Sequence, residues 1–329
     1  MTTEQPRVLL VGAGAVGQVF GHYLQAAGCA VTFFVKPKYA AEAQKGFALY
    51  ELTIRERAPA PRPLSGVGVL TSEREVQKTR WDQVWLCMSS TALRAGDWVK
   101  KLAASTGDAT WVMLQPALDD REWLSQWVPP ERLLTGMIPF LAFQAPLTPG
   151  DALAGPGTAF WMPPLTKGLL SGTRERLWPV LSALRAGGYP AQEDPDVTRA
   201  VSVPSAVLCA LMLGLETQGW SFERLLQPEP LARTLGAARE AARIAEWATG
   251  ASSASVQALL KPFVLKSALA VATRLAPVDL EAFFRAHFTK VNDQTRLMAR
   301  TYIDMGRGAN LDTRQLQALL PQDAPRAPR

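Results

Sequence analysis

Between Arg7 and about Tyr189, short apolar runs alternate with amphipathic stretches, whereas beyond about Thr198 the apolar positions recur only at helical spacing. A continuous apolar run bounded by turn residues reads as a buried strand, and recurrence at three- and four-residue intervals reads as one face of a helix. Val8–Val11 is thus predicted as a buried strand, Ala15–Ala27 as a helix closed by Gly28, and Val31–Val35 as a second strand. Trp85–Met88 and Thr110–Leu114 read as further buried strands, Arg132–Phe143 and Thr158–Met162 as later strands, and Thr173–Leu184 as a helix closing this half. Strands alternating with helices imply crossovers in a mostly parallel sheet, so the first half is expected to be α/β.

The segment EDPDVT, Glu193–Thr198, sets a proline among acidic residues and ends the alternation, which marks a domain boundary. Helices are predicted over Thr198–Gly219, Leu231–Thr249, Lys261–Leu275, Val278–His287 and Phe288–Met305, with Pro321–Arg329 as a frayed tail. The expected division is residues 1–193, 194–320 and the tail 321–329. A chain of 329 residues with 48% hydrophobic content can bury two cores, in keeping with that division.

The formal charge of +6 is spread along the chain without a block of like charges outside the terminal PRAPR. That distribution argues against nucleic acid or a membrane surface as partner and suits an anionic small ligand. No apolar stretch reads as the roughly 18 residues of a membrane span, and the N-terminus carries no leader pattern, so a cytoplasmic protein is expected. Cys29, Cys87 and Cys209 are odd in number and widely spaced, which suggests reduced thiols and neither a disulfide framework nor a metal site. No pair of histidines has metal-ligand spacing.

The chemical signal lies in VLLVGAGAVGQVFG, where Gly12, Gly14 and Gly17 fall between a predicted strand and an amphipathic helix. Gly12 permits the tight turn, Gly14 lets backbone approach a diphosphate, Gly17 allows close helix packing, and the helix start offers unpaired amides to the anion. Gly12, Ala13, Gly14, Ala15, Val16 and Gly17 are therefore the predicted cofactor loop of a Rossmann-type doubly wound domain; a glycine-rich turn without a ligand is the alternative. After the second strand come Lys36 and Lys38, with no carboxylate before Glu42. A carboxylate there would hold the ribose 2′-hydroxyl of NAD and a cation accepts a 2′-phosphate, so NADP(H) is the expected cofactor unless both lysines are merely solvated.

These features resemble the ketopantoate reductases, which reduce a 2-keto acid with NADPH. The resemblance rests on VLLVGAGAVGQVFGHYLQAAGCAVTFFVK, on VWLCMSS and VMLQP, on LGAAREAARIAEWATG, and on the block from Asp279 to Thr313. It implies a Rossmann-type domain followed by an all-α C-terminal domain of the 6-phosphogluconate dehydrogenase C-terminal-like type. It also sets Met88, Ser89, Gln115 and Pro116 along the cofactor, and makes a small carbonyl compound the substrate of a monomer or homodimer.

The polar groups that the family uses are replaced. Ser202 falls at the family's lysine, Ala206 and Ala210 at its asparagines, Ser89 at a second lysine, Pro116 at the asparagine of its Asn-Gly turn, and Lys290 at its glutamate. Pro204 lies inside the helix that carries Ser202, where it removes a backbone hydrogen bond. A ketone receiving hydride becomes an alkoxide, which needs positive charge or a proton. Arg199, one turn before Ser202, and Lys290, placed on the last long helix, are the candidate substitutes and with Ser202 make the expected catalytic set; the alternative is that both are ordinary surface cations.

A cleft lined by Ala206, Ala210 and Leu211 is expected to favour a carbonyl compound less polar than ketopantoate. A non-catalytic nucleotide- or partner-binding protein on the same fold, and a true 2-dehydropantoate 2-reductase, are the alternatives. His22, His287, Cys87 and the ten tryptophans read as packing or surface residues, and Glu240 and Glu246 as solvated.

Overall fold

In the computed structural model the structure describes residues 5–151 and 153–321. The first residues and most of the expected tail lie outside the described residues. The chain forms two compact units, Met1–Val197 and Thr198–Arg329.

Unit 1 contains β1 (Arg7–Val11), α1 (Ala15–Ala26), β2 (Ala30–Phe34), α2 (Ala40–Gln44), β3 (Phe47–Leu52), β4 (Arg62–Leu64), β5 (Gly68–Leu70) and α3 (Glu73–Val76). It continues with β6 (Gln83–Leu86), α4 (Ser90–Leu93), α5 (Trp98–Ser105), β7 (Thr110–Met113), α6 (Asp120–Ser125), β8 (Leu133–Gly136), β9 (Leu141–Ala145), β10 (Gly157–Trp161), β11 (Gly168–Ser171), α7 (Arg174–Ala186) and β12 (Ala191–Glu193).

Eight strands make the main sheet in the order β12-β11-β8-β7-β6-β1-β2-β5. From β8 to β5 every neighbouring pair is parallel, and only β11 runs antiparallel to β8. Alternate side chains leave opposite faces of a strand, and the two cores of unit 1 follow that rule. Val8, Leu10, Trp85 and Val112 pack with α1 and α7 on one face. Leu9, Val11, Leu86 and Trp111 pack with α3, α5 and α6 on the other. Coverage of both faces explains why the central strands are continuous apolar runs rather than alternating ones.

A second sheet, ordered β4-β3-β10-β9, was not foreseen. It packs on the outer side of α1, which is therefore enclosed between two sheets and buries Gly17 through Gly21. The expected strand Arg132–Phe143 is divided between the sheets: β8 belongs to the first and β9 to the second. The apolar content of 132–143 continues across Met137–Phe140, so hydrophobicity alone could not mark the break.

α8 (Val197–Thr217) begins at the boundary. In unit 2 follow α9 (Phe222–Leu225), α10 (Pro228–Thr249), α11 (Ala254–Leu259), α12 (Pro262–Leu275), α13 (Leu280–Lys290), α14 (Asn292–Gly308) and α15 (Arg314–Ala318). α8 is long and apolar enough by composition to cross a membrane, contrary to the sequence expectation; half of its most apolar window is buried, as in a core helix. The break between α13 and α14 falls at Val291 and not at His287, which leaves Lys290 at the end of α13.

α10 is the centre of unit 2, packing on α14 and α15 through a row of buried alanines that allow close approach. Glu240, expected in solvent, is 4% exposed and accepts the amides of Gln315 and Leu316 at 3.2 and 2.8 Å. Its carboxylate serves the otherwise unpaired N–H groups at the start of α15. Glu246 is half-buried and accepts the Ser253 hydroxyl at 2.5 Å.

Candidate functional site

In the sheet order the chain leaves β1 toward β2 on one side and toward β6 on the other, and such a switch point opens a crevice at the strands' C-terminal ends. The glycine turn lies there. Gly12 has φ +100, its amide donates to the Phe34 carbonyl at 3.0 Å, and a Cβ on it would stand 3.1 Å from the Cys87 carbonyl. Gly14 is different: it has ordinary extended dihedrals, caps α1, and a Cβ on it would meet nothing within 4 Å.

The first α1 hydrogen bond runs from the Gln18 amide to the Gly14 carbonyl at 2.9 Å. The amides of Ala15, Val16 and Gly17 precede it, with no acidic residue in the first turn and no side-chain cap. An exposed glycine at the positive end of a helix with uncommitted donors fits a diphosphate. Ala13 and Gly14 supply the approach to that cradle.

Lys36 and Lys38 are both exposed just beyond β2, the neighbour of β1. Lys36 precedes a single turn of 3-10 helix at Pro37–Tyr39, and the Lys38 ammonium lies 4.8 Å from the centre of the Tyr39 ring. Glu42 is also exposed, within α2.

The predicted β6 and β7 residues meet one another. Buried Gln115 donates through Nε2 to the carbonyls of Leu86 and Met88 at 2.9 and 2.7 Å, tying the ends of the two strands. Ser89 accepts the Ala92 amide at 3.2 Å and thereby caps α4. Met88, Ser89 and Pro116 are half-buried. Burial pushes the Cys87 thiol above its usual range, which disfavours the reactive thiolate.

Sequence reasoning missed a charged cluster beneath these two loops. Asp120 is fully buried and accepts the Ser90 hydroxyl at 2.7 Å, the Ala117 amide at 2.9 Å and Arg94 Nη2 at 2.7 Å, while Arg94 also pairs with Asp119 at 2.7 Å. Burial raises the Asp120 carboxyl above its ordinary value, opposed by those hydrogen bonds and by the Arg94 charge. Arg94 and Asp120 are 26 positions apart, so no local pattern announces the pair. Sequence reasoning also missed Gln18, a buried polar residue inside α1.

The unit 2 candidates have separate settings. Ser202 is buried, its hydroxyl 2.9 Å from that of Thr249 and donating to the Arg199 carbonyl at 3.1 Å. Arg199 and Lys290 are exposed. Lys290 lies on the last turn of α13, where its charge and, more strongly, burial depress His287 to about 4. Ala206 and Ala210 are 0% exposed, which corrects the expected cleft lining: their side chains are core. Among the described residues no cluster of His, Cys, Asp and Glu has metal-holding geometry.

An α/β domain with a mostly parallel sheet is thus followed by a helical region, the fold found in ketopantoate reductases. Residues 8–164 match the family model described as ketopantoate reductase PanE/ApbA. Curated protein sequences give no match.

Solved structures with the same fold include 2-dehydropantoate 2-reductase from Geobacter metallireducens GS-15, 17% identical, TM-score 0.66, covering 95% of this chain and 97% of that one. A PanE/ApbA family ketopantoate reductase from Ralstonia eutropha JMP134 is 15% identical, with TM-score 0.68 and 95% of each chain covered. D-mandelate dehydrogenase, solved with NADH and anilino(oxo)acetate, is 13% identical, again with TM-score 0.68 and 95% of each chain covered.

Proposed function

We propose that the protein is an NADP(H)-dependent oxidoreductase that reduces a small carbonyl compound other than ketopantoate, with residues 1–193 as cofactor domain and 194–320 as substrate domain. The observation that carries the reading is the open space beside Gly14 at the uncapped start of α1. Gly12, Ala13, Gly14, Ala15, Val16 and Gly17 would hold the diphosphate, and Lys36 and Lys38 a ribose 2′-phosphate. Met88, Ser89, Gln115 and Pro116 would flank the remainder; Gln115 acts by fixing the strand ends rather than by touching the ligand. The NADH complex of the similarly folded D-mandelate dehydrogenase supports the cofactor class.

A bound reduced nicotinamide supplies hydride. The chain must then neutralise the oxygen that becomes negative. Exposed Arg199 and Lys290 are the proposed cations; an ammonium, unlike a guanidinium, can also serve as a proton donor. Ser202 would have to leave Thr249 to take part.

One observation favours a second reading, a nucleotide-binding protein without catalysis: both hydroxyls are already engaged, that of Ser89 with the Ala92 amide and that of buried Ser202 with Thr249. NADPH oxidation measured against a panel of 2-oxo acids and of aliphatic and aryl ketones separates the readings. The proposal expects turnover with a member of the panel, poor turnover with ketopantoate, and a large loss in the Arg199→Ala, Lys290→Ala double variant. NADPH binding without oxidation of any kind would establish the second reading.

A further inference from the structure

Three polar side chains join the second sheet to the glycine turn. Gln144 Nε2 donates to the Thr158 hydroxyl at 2.8 Å, Thr158 donates to Gln18 Oε1 at 2.6 Å, and Gln18 Nε2 donates to the Ala13 carbonyl at 2.8 Å. The direction is forced. A carbonyl can only accept, so the Gln18 amide must face Ala13 with its nitrogen; its oxygen then requires the Thr158 proton, and the Thr158 oxygen is left to accept from Gln144. Thr158 is 0% and Gln18 5% exposed, whereas Gln144 reaches solvent.

The last acceptor matters because of what shares its peptide plane. In a trans peptide the Ala13 carbonyl and the Gly14 N–H point in opposite directions. Fastening the carbonyl toward Gln18 therefore aims the Gly14 N–H away from the fold, on the residue whose surroundings are open. Donors aligned head to tail also polarise one another, which makes the final amide a better donor.

Resting on the nucleotide-binding reading above, we propose that Gln18 and Thr158 are positioning residues for dinucleotide binding, through which the second sheet sets the direction of the Gly14 amide in the phosphate cradle.

The test uses the full chain and variants Gln18→Leu, Thr158→Val and Thr158→Ser, titrated with NADPH and with adenosine 2′-monophosphate, which lacks the diphosphate. NADPH affinity is expected to fall about tenfold in Gln18→Leu and in Thr158→Val, to be restored in Thr158→Ser, and to fall no further in the double variant. Affinity for adenosine 2′-monophosphate is expected to stay unchanged throughout. A purely structural role would lower the melting temperature and weaken both ligands together, which overturns the inference. Wild-type NADPH affinity in both Gln18→Leu and Thr158→Val overturns it as well. Should Gln18→Leu not fold, the Thr158 pair decides alone. Absence of NADPH binding by the unsubstituted chain would instead remove the nucleotide-binding reading, and this inference with it.

Discussion

Gly17 lies against the Gly12 carbonyl so closely that a Cβ on Gly17 would stand 2.2 Å from that oxygen. The third glycine therefore sets the distance between α1 and the turn that opens it, while Gly14 faces open space. Gly17→Ala is expected to cost about 3 kcal/mol or more, because backbone must move to admit the methyl group. Gly14→Ala is expected to melt within a degree or two of the unsubstituted protein yet lose dinucleotide affinity, since the new methyl occupies the approach to the cradle. Thermal melts and a nucleotide titration on the two variants check this contrast.

Lys36 and Lys38 are exposed at the end of β2, and Lys36→Ala with Lys38→Ala removes both charges without disturbing buried contacts. NADPH is expected to bind the double variant on the order of tenfold or more weakly, while NADH binding stays as before. The difference should shrink as salt is raised, because exposed charges are screened. Titration of both nucleotides at low and high ionic strength reads this directly.

The Arg94–Asp120 pair is a buried one at its acidic end. Arg94→Met leaves the Asp120 carboxylate with only Ser90 and Ala117, and is expected to destabilise unit 1 by about 3–5 kcal/mol at neutral pH. Burial already favours the protonated acid, so removing Arg94 raises the Asp120 pKa further. A group whose folded pKa is raised favours the fold most below its unfolded value and loses that advantage as pH climbs. The deficit in denaturant melts should therefore shrink as the pH is lowered toward 4.

His287 works in the opposite sense. Burial, aided by the Lys290 charge, holds it at about 4 against 6.5 for an ordinary histidine. Between those values the unfolded chain binds the extra proton, so stability rises with pH across this window and levels off above about 7. The effect is at most about 3 kcal/mol. His287→Phe should flatten that part of the stability profile.

How much of this was readable in the sequence depends on whether the information was local. β1, α1 and β2 were legible because a buried strand, three glycines at fixed offsets and an amphipathic helix occupy contiguous residues. Unit 2 was legible as helical from its periodicity. The second sheet was not, since β3 pairs in parallel with β10, more than a hundred positions away.

The same limit applies to the site. The Gln18–Thr158 contact spans 140 positions, and Glu240 serves α15 from 76 positions before Leu316. The expected cleft lining failed for a simpler reason. Ala206 and Ala210 share one face of α8, and that periodicity is the same for a core face as for a ligand face.

In the proposed site the amides at the start of α1 grip a diphosphate and the lysines after β2 choose the phosphorylated nucleotide. Equilibrium titration of the full chain with NADPH and with NADH, followed by nicotinamide fluorescence, tests it most directly. Saturable binding of both is expected, with NADPH the tighter. Failure of a folded sample to bind either nucleotide at millimolar concentration would contradict it.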